Sequence, residues 1–583
     1  MSPASSFITT PFTFQYWPLA ARQEELLIAG KAASCLILAL ILWRLWRFTV
    51  SPFLHPERPR ELPYWIPSHG RAFFQDSNGL IARARDHFRY TQEPIALTAF
   101  GVTFYVVTQT KQSAEVYKNK DTLSFENFVQ TLMRNNGNEE DVIQLMYSSL
   151  PADKIGFPNP YGESLGVLAQ KMHAHQLHPG DQLALLQSQV TQRIDYLLRM
   201  DTLLGTCSPY ATSSSPQHIE IPLYKWCSDY FIRLGQHVYF GEKLDQIDPA
   251  LPDVFFVFDE LIFKMLYQFP GFLSHDMSKP RAQVIASLKK YFQVPQSERQ
   301  SSAAWLINAM EDEMRAIGVD DDNLAVVIFH LYLAINTNTR KSVFWLLTYL
   351  LHNPTLLARY RQETGPAFKD GELIDALYIQ NPATCPEVSM IWHETLRVSG
   401  WAASVRLIME DTMIGGKVLS KGNRVIVPHR LLHFDESIFG AEPNSFRPER
   451  WQQKDNLERS PSWRPFGGGQ TMCSGRYLAR FSATTFVAML LQRFDVELVG
   501  SPKLPAADEG RPVLGIMSIK EGHDFNTLST AYLSWTPHIT IPADGEHSVE
   551  CYTALESVGL GGRFSLVELS SAMFPVCQRT LYS

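Results

Sequence analysis

No Cys-x-x-Cys pair and no regular cysteine framework occurs in this chain. Its seven cysteines are scattered at 35, 207, 227, 385, 473, 551 and 577. That usage suits a reducing compartment and argues against a disulfide scaffold. A long basic run is missing as well, and with a net charge of −7 nucleic-acid binding has no support. The sequence shows no internal repeat, which points to one body rather than an array. The basic n-region that a cleaved signal peptide needs is also lacking, because Arg22 is offset by Glu24 and Glu25.

What is present begins with an apolar run from about Leu26 to Trp43, densest at Cys35-Leu36-Ile37-Leu38-Ala39-Leu40-Ile41-Leu42. Eighteen helical residues span roughly 27 Å, enough to cross a bilayer core. Lys31 lies near one end of the run, where a lysine snorkels to the interface. Arg44 and Arg47 follow it, and the positive-inside rule puts everything after Arg44 in the cytosol. Trp43 and Trp46 would sit at the interface as anchors. Beyond them His55-Pro56-Glu57-Arg58-Pro59-Arg60-Glu61-Leu62-Pro63 and then Pro67 predict a short stiff spacer.

The composition, 45% hydrophobic over 583 residues, supplies a substantial core. Thr103–Thr108 reads as a strand, helical patterns dominate from about 110 to 400, and Cys207–Gln217, rich in Ser, Thr and Pro, reads as a surface loop. Further strands are predicted at Arg424–Val427, Phe494–Leu498 and His538–Ile541. The fold class this gives is mainly α with small β-sheets.

The chemistry concentrates in Phe466-Gly467-Gly468-Gly469-Gln470-Thr471-Met472-Cys473-Ser474-Gly475. A glycine-rich turn delivers one cysteine to the start of a predicted helix at Arg476-Tyr477-Leu478. Glycines allow close approach to a flat ligand and positive φ. A thiolate at neutral pH needs a helix N-terminus or a metal to stabilise it. A single axial cysteine is also the haem ligation mode that favours O–O cleavage.

Phe466, Gly469, Cys473 and Gly475 match the Phe-x-x-Gly-x-x-x-Cys-x-Gly pattern, and the segment resembles the haem-binding loop of the cytochrome P450 superfamily. The resemblance covers roughly residues 60 to 542 and implies the haem-thiolate fold with haem b, its iron ligated by Cys473. Upstream, Glu394 and Arg397 stand three apart on one helix face, and Phe446-Arg447-Pro448-Glu449-Arg450-Trp451 follows. By the same resemblance Glu394, Arg397 and Arg450 form a structural charge triad bracing the cysteine loop. Arg406 would meet a haem propionate, while Thr471 stands where most members carry a second cation.

Leu324, Ile328, Leu331, Ile335 and Asn338 recur at helical spacing, predicting one helix from about Asp321 to Leu351 with Asn338 and Thr339 on it. The position matches the family's acid–threonine pair, with the threonine kept as Thr339 and the acid replaced by Asn338. An asparagine orients water but does not relay protons as a carboxylic acid does. Asn338-Thr339, Phe344-Trp345 and Thr471 together are similar to the sterol 7α-hydroxylase and prostacyclin synthase branch. His173, His175 and His178 do not share one helical face, so no metal ligand is assigned to them. Arg464, Arg476 and Arg480 flank the cysteine loop as a possible dock for an acidic reductase.

The resulting expectation divides the chain into a lumenal segment (1–25), a transmembrane anchor (26–43), a Pro-rich linker (44–68), the haem-thiolate catalytic body (69–542) and an extension without a motif (543–583). It implies a single-pass protein of the endoplasmic reticulum membrane with a cytosolic catalytic domain. The expected activity is monooxygenation of a lipophilic, sterol- or terpenoid-like small molecule. With no flavin or nucleotide site in view, NADPH would act only through NADPH-cytochrome P450 reductase. Two alternatives stay open: a haem-thiolate isomerase or dehydratase working without NADPH, and a non-catalytic haem-binding membrane protein.

Overall fold

The computed structural model describes residues 19–531 apart from 67, 100, 153, 155, 454 and 455. The strand predicted at His538–Ile541, the end of the 69–542 body, the 543–583 extension and residues 1–18 lie outside the described residues.

A six-stranded mixed sheet runs in the order Arg60–Glu61, Ile95–Ala99, Val102–Val106, Arg424–Pro428, Ala403–Ile408 and Leu123–Ser124. Ile95–Ala99 is buried at every position, so its side chains show no alternation of apolar and exposed polar residues, and Thr98 is its one polar member. Gly101, at φ +81°, makes the tight turn into Val102–Val106. That strand pairs in parallel with Arg424–Pro428, a pairing that needs a long crossover; here most of the helical body lies between them.

A second sheet orders Phe494–Leu498, Asn526–Ala531, His218–Pro222 and Ser213–Ser215. The stretch predicted as a loop over Cys207–Gln217 thus ends a helix, Met200–Cys207, and then forms an edge strand. Its serines have little strand propensity, but backbone pairing with His218–Glu220 decides the outcome.

The helices Leu223–Ile247, Asp321–Asn336, Thr339–Leu351, Pro386–Ser399 and Arg476–Arg493 form the centre of one large core. Every residue of Thr339–Leu351 except Thr339 itself is buried, as befits a helix enclosed on all sides. The single helix predicted over Asp321–Leu351 is in fact two, interrupted at Thr337-Asn338.

At the N-terminus an α-helix, Leu19–Leu45, continues through a π-turn, Trp46–Val50, into Ser51–Leu54. The helix therefore runs past the predicted 26–43 span, and residues 44–54 of the predicted 44–68 linker are helical. Pro52 follows closely on the π-turn, the kind of irregularity that goes with a proline inside a continuous helix. Within Leu26–Leu54 the most apolar 18-residue stretch has a mean hydropathy of 2.2 and none of it is buried, making the helix long and apolar enough to cross a membrane. The chain then folds back: the Arg44 guanidinium lies 4.5 Å from the Trp65 ring, and Trp43, Phe48 and Tyr64 pack with centroids 5.1–5.8 Å apart.

Candidate active site

Between the sheet, the broken helix and the glycine-rich turn lies one cavity of about 810 Å³. Cys473, Asn338, Thr339 and Arg406 all line it, so the structure brings these four predicted site residues to one space. Phe466, Gly467 and Gly475 line it as well. Gly469 does not. It holds the turn from behind, at φ +63°, where a Cβ would stand 3.1 Å from the Tyr117 carbonyl oxygen. Gly475 has an ordinary φ of −74° and caps Arg476–Arg493, so its value lies in space beside the sulfur rather than in backbone freedom.

Cys473 is deep in the molecule yet accessible, because its free surface faces the cavity. Burial pushes its thiol up from the ordinary range, more than the Gly475 and Arg476 backbone N–H groups and the Arg476 guanidinium pull it down. The chain alone therefore leaves this sulfur protonated, and a bound cation is what would hold it as thiolate. Its own N–H donates to Phe466 O at 3.0 Å, fixing the turn.

Glu394, Arg397 and Arg450 are buried and joined. Arg397 donates Nε and Nη2 to the two Glu394 oxygens, each at 2.8 Å, and Arg450 Nε donates to Oε1 at 2.9 Å. The Arg447 N–H and Trp451 Nε1 complete the carboxylate's partners at 2.8 and 2.9 Å. Arg397 Nη1 reaches the carbonyls of His433 and Pro443 at 3.0 and 2.7 Å. His433 Nε2 in turn accepts from the Arg464 N–H at 2.9 Å, just before the cysteine turn. His433 is a link that sequence reasoning missed; it sits in the short helix His429–His433 with Arg430, and nothing local singles it out.

Arg406 donates to Val405 O at 2.8 Å and to Thr471 Oγ1 at 2.6 Å, and no carboxylate among the described residues pairs with it. Nearby, Tyr117 OH, Ser404 Oγ and His429 Nε2 bond one another at 2.7–3.1 Å, while His429 Nδ1 is buried without a partner. Burial, with Arg464 and Arg406 beside it, pushes His429 down to about 3, so it stays neutral. A cysteine facing an open cavity, glycines beside it, an arginine without a counter-ion and an orphaned imidazole nitrogen fit haem: Cys473 would hold its iron, and Arg406 with the Tyr117–Ser404–His429 cluster would meet its propionates.

Asn338 breaks the central helix and turns its Oδ1 to the Ile516 N–H at 3.0 Å, leaving its amide nitrogen as the donor. Thr339 begins the next helix beside it. The break is gripped from the far side by Asp259, whose carboxylate accepts from Thr337 Oγ1 at 2.8 Å, pairs with Lys341 at 2.9 Å and contacts Arg340. Burial would raise this carboxyl, but Lys341 and Arg340 hold it below the usual range. Its distance of about eighty residues along the chain hid this partnership.

One expectation changes. Arg480 turns inward, with Nε and Nη2 buried and unpartnered, so the arginines beside the cysteine turn reduce to Arg464 and Arg476. His173 and His175 lie in the C-terminal half of the helix Leu165–Leu177, His175 in its last turn; His173 lines the cavity, held by Ala169 O at 2.6 Å. His178 follows the helix and packs on Tyr477.

The Cytochrome P450 family profile matches residues 212–525, more than half of the chain. The chain therefore belongs to the cytochrome P450 monooxygenase family. It is 24% identical over 507 residues to the cytochrome P450 monooxygenase poxD of Penicillium oxalicum, covering 82% of this chain and 95% of that one. The bifunctional cytochrome P450/NADPH–P450 reductase of Gibberella moniliformis is 28% identical over 198 residues, 33% of this chain and 17% of that one. The beta-amyrin 11-oxidase of Glycyrrhiza uralensis is 24% identical over 278 residues, 45% and 55% of the two chains.

Proposed function

We propose that this protein is a membrane-anchored monooxygenase that oxidises a lipophilic, sterol- or terpenoid-like molecule, with electrons from NADPH through a separate reductase. The observation that carries the reading is that Cys473 and the Asn338–Thr339 break open onto one cavity whose walls hold no aspartate or glutamate. Bound haem, held by Cys473, would supply activation of dioxygen: with two electrons from NADPH and two protons, one oxygen atom goes to the substrate and the other leaves as water. The chain's residues do the rest. Phe231, Leu234 and Val238 present apolar surface to the substrate. The Asn338 amide and the Thr339 hydroxyl orient water, and protons pass through that hydroxyl, since no carboxylic acid reaches the cavity. Glu394, Arg397 and Arg450 brace the turn that presents the cysteine. Arg464 and Arg476 mark the surface beside the cysteine turn as the reductase dock, supported by a relative that carries a reductase in the same chain.

The oxidase of a triterpenoid among the relatives supports the substrate class, and the apolar helix Leu26–Leu54 supports single-pass anchoring in the endoplasmic reticulum with the body in the cytosol. A second reading, a haem-thiolate isomerase, is favoured by one detail: the residue at the acid position spends its oxygen on Ile516. Turnover of candidate lipophilic substrates by the full-length haem-loaded protein, with and without NADPH and reductase, separates them. Product formed only with NADPH and O₂ supports the oxidase. Product formed without either supports the isomerase. Absence of a thiolate spectrum in reduced, carbon-monoxide-treated holoprotein overturns both.

A further inference from the structure

Three arginines line the cavity, Arg406, Arg424 and Arg430, and no acidic residue does. Two of the three are accounted for. Arg406 bonds Thr471 at the cysteine turn, and Arg430 stacks 4.0 Å over Trp401 with Glu509 at 3.7 Å. The Arg424 side chain forms no hydrogen bond and no ion pair among the described residues, its nearest charge-sensitive contact being the Phe104 ring. Its guanidinium lies 5.7 Å from the Phe104 ring, on the same strand face as Ile426, in the wall shared with Phe73. Burial alone pushes its pKa down, with no charged neighbour of either sign acting on it. An arginine stays charged at any physiological pH, so it cannot escape the cost of this setting by losing a proton. A half-buried guanidinium in an apolar wall is stabilised by an anion, and its planar fork fits a carboxylate.

The strand sets where that anion would sit. Arg424 is at one end of Arg424–Pro428 and Pro428 at the other, opposite Ala403. The Pro428–Ala403 end adjoins the distal site, because the neighbouring Ala402 N–H donates to Gly515 O at 3.1 Å and the next residue, Ile516, holds Asn338. Four strand steps separate the two ends, about 13 Å.

We propose that Arg424 is a substrate-anchoring residue and that the substrate is a lipophilic carboxylic acid, oxidised at a carbon remote from its carboxylate. This rests on the monooxygenase reading and narrows its substrate class. The acid end pairs with Arg424 while the apolar skeleton extends along the strand toward Asn338 and Cys473.

The test is equilibrium dialysis of the full-length haem-loaded protein against three acids of different shape, palmitic, abietic and lithocholic acid, each beside its methyl ester. At least one acid is expected to bind about tenfold or more tightly than its ester. R424Q is expected to erase that preference while leaving ester binding as in the parent, and R424K to keep part of it. Equal binding of acid and ester in all three pairs overturns the proposal, as does a preference that R424Q leaves intact. Retained ester binding and an unchanged reduced carbon-monoxide spectrum show that the variant is folded. Dialysis needs neither NADPH nor reductase, so failure of this subsite and failure of the oxidase reading give separate results.

Discussion

Replacing Glu394 by alanine tests whether the buried cluster holds the cysteine turn. The carboxylate accepts from Arg397 twice, from Arg450, from the Arg447 N–H and from Trp451, and Glu394, Arg397 and Arg450 are all buried. Glu394→Ala leaves two guanidiniums facing one another without their shared counter-charge. Breaking a buried pair by removing one partner costs about 3–5 kcal/mol. Glu394→Gln keeps the shape and one acceptor, so its cost is expected to fall between that and the parent. Urea unfolding followed by tryptophan fluorescence reads the loss, and haem content per chain reads its transmission to Cys473. The control is Glu140→Ala, which removes the exposed partner of Arg134 and should leave both readings at the parent's values. If Glu394→Ala unfolds within about 1 kcal/mol of the parent and binds haem normally, the cluster does not brace the site.

Gly469→Ala forces a side chain into φ +63° against the Tyr117 carbonyl, so a loss of about 1–2 kcal/mol and of haem occupancy is expected in thermal unfolding and haem titration. Thr339→Ala should lower product formed per NADPH consumed by about tenfold or more, read by comparing product with cofactor oxidation, while Asn338→Asp should not show that loss. Acid should destabilise the fold. Burial holds His393 down at about 3 and His433 well below its ordinary value, so both take up protons only on unfolding. Their contribution is in place well above the unfolded pKa of about 6.5 and falls as pH drops through it, by about 2 kcal/mol for His393 between pH 7 and pH 5, with His433 adding in the same direction. Urea midpoints at those two pH values check the sum, and His393→Gln should flatten the slope.

The parts legible in the sequence were those whose chemistry is local. The cysteine turn carries its glycines and its ligand within ten residues, and Glu394 with Arg397 needs only helical spacing. Phe494–Leu498 is a strand as read, since its residues alternate toward a core. What escaped depended on distant partners. The helix over Asp321–Leu351 looks continuous because Thr337 and Asn338 are tolerable helix residues; the break follows from Asp259 and Ile516, which no local pattern reveals. Ser213–Ser215 became a strand because a neighbour offered backbone bonds. Arg480 looked like a surface charge until its helix packed it inward. Arg424 sat unnoticed in a four-residue strand signal, its isolation visible only against the cavity wall.

Asp259 closes the helix Leu251–Glu260, and within a few residues the chain reaches Leu266, Tyr267 and Gln268, which line the cavity. One short stretch of backbone therefore touches both the space that receives the substrate and the joint that aims Asn338 and Thr339. The wall that meets the substrate and the joint at the helix break are thus borne by one continuous run of chain, Asp259 to Gln268.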